Sequence, residues 1–411
     1  MSIKGNMIIG QSGGPTAVIN SSLAGAFEAA EAAGIKKIYG MHYGIEGFLN
    51  ENILDLRKHI KNAQDVSLLK RTPSAFLGSC RYKLPKIEGN EDVYEKIFSI
   101  MEKYDIQYFL YNGGNDSMDT VKMLSDYAAA HGKPQKFMGI PKTIDNDLPV
   151  TDHCPGYGSA AKYIATSLKE IIVDNDCYGP YRTSVVIVEI MGRHAGWLTA
   201  AAALARNTPD LIYLPEVSFD PDDFIKRIKD IAKTKNSIVV AVSEGIKLED
   251  GTFVCEIGSG GGKKDAFGHT QLSGVGSYLA SMIMEKTDIK ARSIEFSTMQ
   301  RCASHVVSRT DADEAYNAGY LAAQAAFAGS TGEMITIQVD SRAPYLTSYS
   351  KFDIHEVANV ERKVPLEWII NDGTYVSDEF IAYARPLIMG EIEPYFSEGV
   401  PQHLSIDKYI D

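Results

Sequence analysis

The sequence predicts an α/β protein with two largely parallel sheets, and three observations support this prediction. Short apolar runs alternate with helical patterns along most of the 411 residues. Strands separated by helical patterns of about 10–20 residues are typical of βαβ units, whose parallel sheets are covered by helices on both faces. These units are numerous enough to suggest two sheets rather than one. With 45% hydrophobic and 23% charged residues, the composition is that of a globular protein and excludes a disordered or collagen-like chain.

In the first half of the chain, each predicted strand leads into a turn and then a helix. Residues 6–9 (NMII) form a short apolar run, and the Ala-rich residues 18–33 predict a helix that Gly34 terminates. The apolar and aromatic run at 105–111 predicts the next strand, before a helix at 118–131. Two further elements complete this half: a strand at 136–140 and a helix at 157–176.

The second half continues the alternation with strands that are rich in β-branched residues. Residues 183–190 (TSVVIVEI) predict a strand, which a helix follows at 195–206, and residues 237–242 (SIVVAV) predict another strand. Three elements complete the pattern: a strand at 291–296, a helix at 311–328 and a strand at 334–339. After Pro344 the pattern becomes mixed, and we interpret residues 345–411 as a C-terminal extension.

The charge balance argues against a nucleic-acid partner. The chain has 41 Lys and Arg against 53 Asp and Glu, a net charge of −12, whereas non-specific nucleic-acid binding depends on an excess of cations. A phosphorylated small molecule remains compatible, because a few local cations can hold one inside an acidic protein.

The cysteines and the hydropathy pattern predict a cytoplasmic protein. The cysteines are five in number and far apart, with no C-x-x-C pair, which indicates a reducing compartment and buried thiols. No run of about 18 apolar residues predicts a membrane helix, and the N-terminus lacks a signal-peptide pattern. We therefore expect no membrane association.

Most of the unusual residues lie directly after predicted strands, where open α/β sheets bind their ligands. The first group is the turn 10–20 (GQSGGPTAVIN), in which Gly13 and Gly14 would let backbone N–H groups and a helix N-terminus face an anion. Ordinary turn glycines are the alternative interpretation. The turn matches neither G-x-G-x-x-G nor a Walker A loop.

The second group, 111–120 (YNGGNDSMDT), places Asn115, Asp116 and Ser117 at a predicted helix start. All three residue types also serve as helix N-caps, which is the alternative to a ligand site. Capping needs only one of them and does not need the Gly-Gly pair before them. Both interpretations stay open.

The third group, 139–148 (GIPKTIDNDL), places four reactive side chains within six residues: Lys142, Thr143, Asp145 and Asp147. A salt-bridged surface turn would explain them. Two carboxylates beside a lysine also suit general-base chemistry with phosphate or Mg²⁺ present.

Further charged residues lie at other strand ends. Arg193, in the segment 189–197 (EIMGRHAGW), is placed to act as a fork for a phosphate group. Glu244 follows the strand at 237–242, Arg292 lies near the start of the strand at 291–296, and Arg301 follows that strand.

Two other features favour a simpler interpretation. His194 is predicted to be a local hydrogen-bonding residue rather than a metal ligand. The segment 258–264 (GSGGGKK) is similar to a phosphate loop, but its spacing is one residue short and no Ser or Thr follows the lysine. It is predicted to be a mobile surface loop.

Taken together and in this order, the segments SGGPTAVIN, GGNDS, PKTIDNDL and EIMGRHAG resemble the phosphofructokinase family. They are similar to its SGGDAPGMN-type and GGDGS-type loops, its TIDND catalytic loop and its MGR sugar-phosphate segment. The resemblance extends over about residues 7–304. It implies two Rossmann-like domains with largely parallel sheets and an active site between them, plus the C-terminal extension.

The resemblance also implies roles for individual residues. Asp145 would take the proton from the 1-hydroxyl of fructose 6-phosphate, and the other implied catalytic residues are Lys142, Asp116 and Thr143. One of Arg292 and Arg301 would reach in from a neighbouring subunit. The implied substrate-binding residues are Thr143, Asp147, Met191, Gly192, Arg193, Glu244, Arg292, Thr298 and Arg301.

Two positions indicate pyrophosphate rather than ATP as the phosphoryl donor. Members that use ATP have glycine where this sequence has Asp116 and, usually, where it has Lys142, whereas the pyrophosphate-dependent branch has GGDDS and PKTIDND loops. Asp116 would repel a nucleotide α-phosphate, and Lys142 would stabilise the transferring and leaving phosphates. The implied pyrophosphate-binding residues are Gly13, Gly14, Arg81, Asp116 and Lys142.

The implied reaction is reversible and Mg²⁺-dependent: pyrophosphate and fructose 6-phosphate give phosphate and fructose 1,6-bisphosphate. The implied metal ligands are Asn115 and Asp116, although the family loop has Asp at the position of Asn115. An ATP-dependent phosphofructokinase is one alternative, and a non-catalytic regulatory subunit, which only Asn115 favours, is another. A dinucleotide-dependent oxidoreductase fits the α/β pattern but lacks its glycine motif.

The domain organisation follows from the resemblance. The donor-binding domain would comprise residues 1–156 with about 300–344, and the fructose 6-phosphate-binding domain residues 157–299. Residues 345–411 would form the extension. Active sites shared between subunits predict a homodimer or homotetramer.

Overall fold

The chain folds around two β-sheets in a computed structural model that describes residues 4–177, 181–206, 208–259, 274–357 and 360–406. The strands are β1 (Asn6–Gln11), β2 (Ile38–Met41), β3 (Ile53–Asp55), β4 (Ile106–Gly113), β5 (Lys136–Pro141), β6 (Ser184–Ile190), β7 (Leu211–Tyr213), β8 (Ser237–Ser243), β9 (Lys290–Glu295), β10 (Glu333–Arg342), β11 (Tyr345–Asp353), β12 (Ile369–Ile370), β13 (Tyr375–Val376), β14 (Phe396–Ser397) and β15 (Val400–Pro401). The α-helices are α1 (Ile19–Ala32), α2 (Gly44–Leu49), α3 (Ala63–Leu69), α4 (Glu91–Lys103), α5 (Asn115–Ala130), α6 (Tyr157–Asp176), α7 (Trp197–Ala200), α8 (Pro221–Ile231), α9 (Val254–Ser259), α10 (Val275–Lys286), α11 (Met299–Cys302), α12 (Arg309–Phe327) and α13 (Asp378–Ala384).

Both main sheets are largely parallel, which confirms the predicted fold class. Within the described residues, the first sheet has seven strands in the order β11-β10-β5-β4-β1-β2-β3. Its inner pairings are parallel, and the edge strands β3 and β11 run antiparallel to their neighbours. In the same part of the chain, the second sheet has four parallel strands in the order β7-β8-β6-β9.

The predicted strands and helices are present, and most of their ends lie within three residues of the predicted ones. The helix predicted at 195–206 is shorter, because α7 continues as a 3₁₀-helix over Ala201–Ala205. Sequence patterns missed the longer helices α4, α8 and α10, and also the short strands β2, β3 and β7. These strands have only three or four residues, too few for a hydrophobic period to be recognised.

The residues predicted to form a C-terminal extension are integrated into the α/β body. β11 is an edge strand of the first sheet, so the boundary predicted at residue 344 does not coincide with the end of that sheet. Trp368, Phe380 and Tyr383 pack around Trp197 in the apolar core beside the second sheet. The division of the chain into domains remains a prediction.

Two glycines allow α1 and α12 to pack closely over one face of the first sheet. A Cβ atom on Gly25 would lie 2.0 Å from the carbonyl oxygen of Tyr316, and one on Gly319 would lie 1.9 Å from that of Ser22. Both distances are far below van der Waals contact. The helix that returns from the second sheet is therefore held against the first, which brings the carboxyl ends of both sheets to one cleft.

Candidate active site

A cleft of about 680 Å³ lies where the carboxyl ends of the two sheets meet. Its walls are the segments that follow β1 and β5 in the first sheet and β6, β8 and β9 in the second. This is the place where open α/β sheets bind ligands. The sequence-predicted site residues that line it are Gly14, Arg81, Lys142, Thr143, Asp145, Asp147, Met191, Gly192, Arg193, Glu244, Thr298 and Arg301.

The loop after β5 is mostly buried but exposes the carboxylate of Asp145 to the cleft. Thr143 Oγ1 donates to Asp145 Oδ2 at 3.0 Å and accepts from the Asp145 backbone N–H at 3.1 Å. The loop itself is anchored, because the N–H groups of Lys142 and Thr143 donate to the carbonyl oxygens of Gly113 and Pro155. The Asp145 carboxylate is exposed to the cleft while its neighbours in sequence are buried. It can therefore accept a proton from a bound molecule.

Lys142 places a buried cation next to the glycine turn after β1. Its Nζ donates to the carbonyl oxygen of Gly14 at 2.7 Å, and its side chain is almost fully buried. Burial lowers the pKa of Lys142 to about 8, although Asp145 and Asp147 favour the charged form. Gly13 lies outside the cleft lining but adjoins this cation.

The conformation of Gly13 explains why the turn needs glycine at this position. Its φ is +76°, a region that other residues rarely adopt. A Cβ atom there would lie 3.3 Å from Lys142 Nζ. Arg301 reaches the same turn, because its Nη1 would lie 3.5 Å from a Cβ atom on Gly14. Cations thus surround the turn, as an anionic ligand requires.

Asp147 and Asn115 form a pair of oxygen-bearing side chains at the edge of the cleft. Asn115 Nδ2 donates to Asp147 Oδ2 at 3.4 Å, and Asn115 Oδ1 is buried without a hydrogen-bond partner. Burial, together with the charges of Asp145 and Glu361, raises the pKa of Asp147 to about 7. An orphaned buried oxygen beside a carboxylate that is costly to ionise fits a hard cation such as Mg²⁺. The described residues contain no group of three or more His, Cys, Asp or Glu suited to a metal.

The structure does not bring Asp116 or Arg292 into the cleft. Asp116 is exposed, and its Oδ1 lies 3.8 Å from Lys83 Nζ. Arg292 is also exposed, and its Nη2 donates to Asp174 Oδ2 at 2.6 Å near the end of α6. β9 therefore directs Arg292 away from the cleft that the rest of this chain forms.

The N-cap interpretation of the GGNDS segment is wrong. The N-cap of α5 is Gly114, with extended backbone and no capping side chain, and Asn115 is the first helical residue. The helix begins three residues before its predicted start. Consequently the side chains of Asn115 and Asp116 project from its first turn instead of capping it.

The segment after β6 forms the opposite wall of the cleft. The Gly192 N–H donates to Glu244 Oε1 at 3.4 Å, and the Met191 N–H donates to Gln300 Oε1 at 3.3 Å. Gly192 has φ +151°, and a Cβ atom on it would lie 2.8 Å from Ser243 Oγ. Burial raises the pKa of Glu244 to about 7. This wall therefore contains a buried carboxyl group, that of Glu244, which water solvates poorly and which can hydrogen-bond to a ligand.

Sequence reasoning missed Glu189, Glu295, Gln300 and Glu361, which also line the cleft. Glu189 accepts from the backbone N–H groups of Gly274 and Gly276, so it holds the start of α10. Glu361 lies 3.5 Å from His194 Nδ1, in agreement with the local role predicted for that histidine. No motif in the sequence points to Glu361, because it lies beyond the strand at 334–339, the last element predicted from the sequence. The glycine-rich segment 258–264 lies largely outside the described residues.

Comparisons with known proteins agree with this geometry. The pattern of the phosphofructokinase family matches residues 6–326. A protein of Xanthomonas campestris pv. campestris named pyrophosphate–fructose 6-phosphate 1-phosphotransferase is 41% identical over 98% of this chain and 96% of its own length. A protein of the same name from Methylococcus capsulatus is 40% identical over the same shares.

A solved structure gives the same relationship. The pyrophosphate-dependent phosphofructokinase of Marinobacter aquaeolei superposes with a TM-score of 0.88 at 36% identity, over 99% of this chain and 97% of that one. No described helix of the present structure is both long and apolar enough to cross a membrane.

Proposed function

The chain belongs to the phosphofructokinase family, and from this premise we propose that it transfers a phosphoryl group from pyrophosphate to the 1-hydroxyl of fructose 6-phosphate. The products are fructose 1,6-bisphosphate and phosphate. Relatives at about 40% identity over nearly the whole chain carry the name of this activity. The observation that carries the donor assignment is the buried Lys142 ammonium beside the Gly13–Gly14 turn.

Asp145 is the general base of the proposed reaction. Its exposed carboxylate accepts the proton of the sugar 1-hydroxyl as that oxygen attacks the terminal phosphorus of pyrophosphate. Thr143 fixes the orientation of the carboxylate through the hydrogen bond at 3.0 Å. The new P–O bond forms as the bridging P–O bond of pyrophosphate breaks, and phosphate leaves.

The cations at the glycine turn stabilise the charge that develops on the phosphates. Lys142 and Arg81 are the cations that serve pyrophosphate on this side of the cleft. Because Lys142 is buried, water screens its charge little, and each interaction with a phosphate oxygen is correspondingly stronger. Binding of the anion in turn favours the protonated form of Lys142.

Oxygen atoms of Asn115 and Asp147 have the chemistry to hold Mg²⁺ as a cofactor of this reaction. When bound, it neutralises phosphate charge and orients the transferring group. Asn115 Oδ1 and Asp147 would hold it, and the burial that raises the Asp147 pKa is offset by the cation. Asp116, which the sequence suggested as a ligand, is instead an exposed residue at the start of α5, where it would meet the longer chain of a nucleotide donor.

The opposite wall binds the sugar phosphate in this proposal. Met191, Gly192 and Arg193 hold the sugar and its phosphate, and Glu244 accepts from sugar hydroxyls. Thr298 and Arg301, at the start of α11, bind the 6-phosphate. Arg292, which faces away from this cleft, serves the cleft of a neighbouring copy, so the enzyme is a homo-oligomer, either a homodimer or a homotetramer.

The free cysteines among the described residues and the role of the reaction in sugar phosphate metabolism favour the cytoplasm. The reaction is reversible, because a phosphoanhydride is exchanged for an ester of similar transfer potential.

The test is the Mg²⁺-dependent phosphorylation of fructose 6-phosphate with pyrophosphate and with ATP at equal concentration. Activity with pyrophosphate alone supports the proposal, and activity with ATP alone overturns the donor assignment. Activity with neither donor favours a regulatory subunit with Asn115 as its lesion. The double variant Asp116→Gly, Lys142→Gly tests the donor residues, since it should lose pyrophosphate-dependent activity and gain ATP binding.

A further inference from the structure

A segment beyond the family match holds the catalytic loop from behind. The match ends at residue 326, yet Arg362 contacts the loop that carries Asp145 and Asp147. The backbone N–H of Arg362 donates to the carbonyl oxygen of Asp147 at 2.7 Å, and Nη2 donates to that of Asn146 at 3.0 Å.

The same guanidinium also fixes the chain just after the loop. Arg362 Nη1 donates to the carbonyl oxygens of Thr151 and Asp152, at 3.1 and 2.5 Å. Its Cζ lies 4.6 Å from the centre of the Trp197 ring, whose Nε1 donates to the Arg362 carbonyl oxygen. A planar fork of donors suits several carbonyl oxygens at once, which an ammonium group could not match.

Tyr383 completes the contact from α13. Its hydroxyl accepts from Asn146 Nδ2 at 2.8 Å and from Arg362 Nη2 at 3.3 Å, and it donates to the Asp152 carbonyl oxygen at 2.8 Å. Its side chain is almost fully buried. Arg362 and Tyr383 therefore form one hydrogen-bonded unit, here called the C-terminal clamp.

The residue at the centre of this clamp has an uncommon backbone conformation. Asn146 is fully buried and has φ +56°, in the left-handed region that few residues other than glycine, asparagine and aspartate adopt. It lies between Asp145 and Asp147. If it relaxed, both carboxylates would move, and a displacement of about 1 Å at reacting groups can reduce a rate by about 100-fold.

We infer that Arg362 is a positioning residue that, together with Tyr383, keeps the catalytic loop in its reactive conformation. This inference rests on the proposed function, because the reaction defines which conformation is reactive. It assigns residues 360–383 a part in catalysis, whereas the sequence pattern suggests only an extension.

The chain offers a matched control in Arg342. Arg342 Nη1 donates to the Tyr383 carbonyl oxygen at 3.1 Å, and its Nη2 binds Asp152 Oδ2 at 2.6 Å. Its Cζ lies 4.7 Å from the centre of the Tyr383 ring. It thus shares the neighbours of Arg362 but donates to no carbonyl group of residues 142–148. Its replacement tests the loss of a half-buried arginine that contacts Tyr383 but not the catalytic loop.

The experiment compares Arg362→Ala, Arg362→Lys, Tyr383→Phe and Arg342→Ala with the wild type in the full-length chain. For Arg362→Ala we expect kcat to fall by about 30-fold or more with little change in KM. Added guanidinium ion at non-denaturing concentration should restore part of kcat, and methylammonium should not. Arg362→Lys should recover little, and Arg342→Ala should keep kcat close to the wild-type value.

A second measurement does not depend on activity. Backbone hydrogen exchange in peptides that cover residues 142–148 should accelerate in Arg362→Ala and in the milder Tyr383→Phe, but not in Arg342→Ala. Unchanged exchange in folded Arg362→Ala and Tyr383→Phe overturns the inference, as does an equal loss of kcat in Arg342→Ala. If the wild type does not use pyrophosphate, the proposed function fails, whereas the exchange comparison still decides whether the clamp holds the loop.

Discussion

Replacing Lys142 by methionine should stabilise the folded protein while it abolishes the pyrophosphate-dependent activity. The ammonium group is buried, and burial lowers its pKa from 10.5 to about 8 despite the carboxylates of Asp145 and Asp147. At neutral pH the charged Lys142 side chain therefore has a higher free energy in the folded protein than in the unfolded chain, where water solvates it. Methionine has a similar length and no charge, so the variant avoids this cost.

The magnitude follows from the two pKa values. A fall from 10.5 to about 8 corresponds to about 3 kcal/mol against folding at pH 7, at about 1.4 kcal/mol for each pKa unit. The variant loses the hydrogen bond to the Gly14 carbonyl oxygen, which is worth about 1 kcal/mol. The expected net gain for Lys142→Met at pH 7 is therefore about 2 kcal/mol.

The gain should depend on pH with a defined sign. Between about pH 8 and pH 10.5 the unfolded chain binds the proton of Lys142 more tightly than the folded protein does, so wild-type stability rises with pH across this window. The variant lacks this titration. The wild type should recover about 2 kcal/mol relative to the variant between pH 7 and about pH 9.5.

The assay is unfolding by urea or heat at both pH values, without Mg²⁺ or pyrophosphate. Lys229→Met, at an exposed position on α8, is the control for a lost surface charge and should show a small difference that does not depend on pH. The reasoning is refuted if Lys142→Met is less stable than the wild type at pH 7, or if the difference between them is the same at both pH values.

Three further predictions concern the proposed base Asp145, the cleft residue Glu361 and the contact between α1 and α12. Asp145→Asn should lower kcat by about 10²–10⁴-fold in a steady-state assay with little change in thermal stability, because only the proton acceptor is lost. Glu361→Gln removes a negative charge that raises the pKa of Asp147, so the acidic limb of the kcat/KM profile should move to lower pH. Gly319→Ala should destabilise the protein by about 1–3 kcal/mol or more in unfolding experiments, because the new methyl group would meet the Ser22 carbonyl oxygen.

Much of the fold could be predicted because its signals are local. The strand β6 and the helix α6 are long enough for their apolar patterns to define them, and α6 has the predicted ends. The start of α5 was predicted three residues late. Ser117 and its neighbours have side chains that favour caps, but tertiary contacts around the Gly-Gly pair decided the helix start instead.

In the candidate site, too, local sequence predicts some of the contacts and tertiary structure decides the others. Lys142, Thr143 and Asp145 are close in sequence and follow one strand, so their proximity needed no tertiary information. Asn115 and Asp147 lie on different segments, and only the fold shows that they share a hydrogen bond while Asp116 turns to solvent.

The sequence by itself determined the fold class and the proximity of Lys142, Thr143 and Asp145, since the fold class follows from long apolar patterns and these three residues follow one strand. Only the tertiary structure decided that Glu361 enters the cleft, that Arg292 leaves it, and that Arg362 holds the catalytic loop from behind. The physical reason is that these contacts join segments far apart in the chain. Side-chain direction at such contacts is set by the packing of the two sheets and by the demand of buried carbonyl groups for donors, which no local pattern encodes.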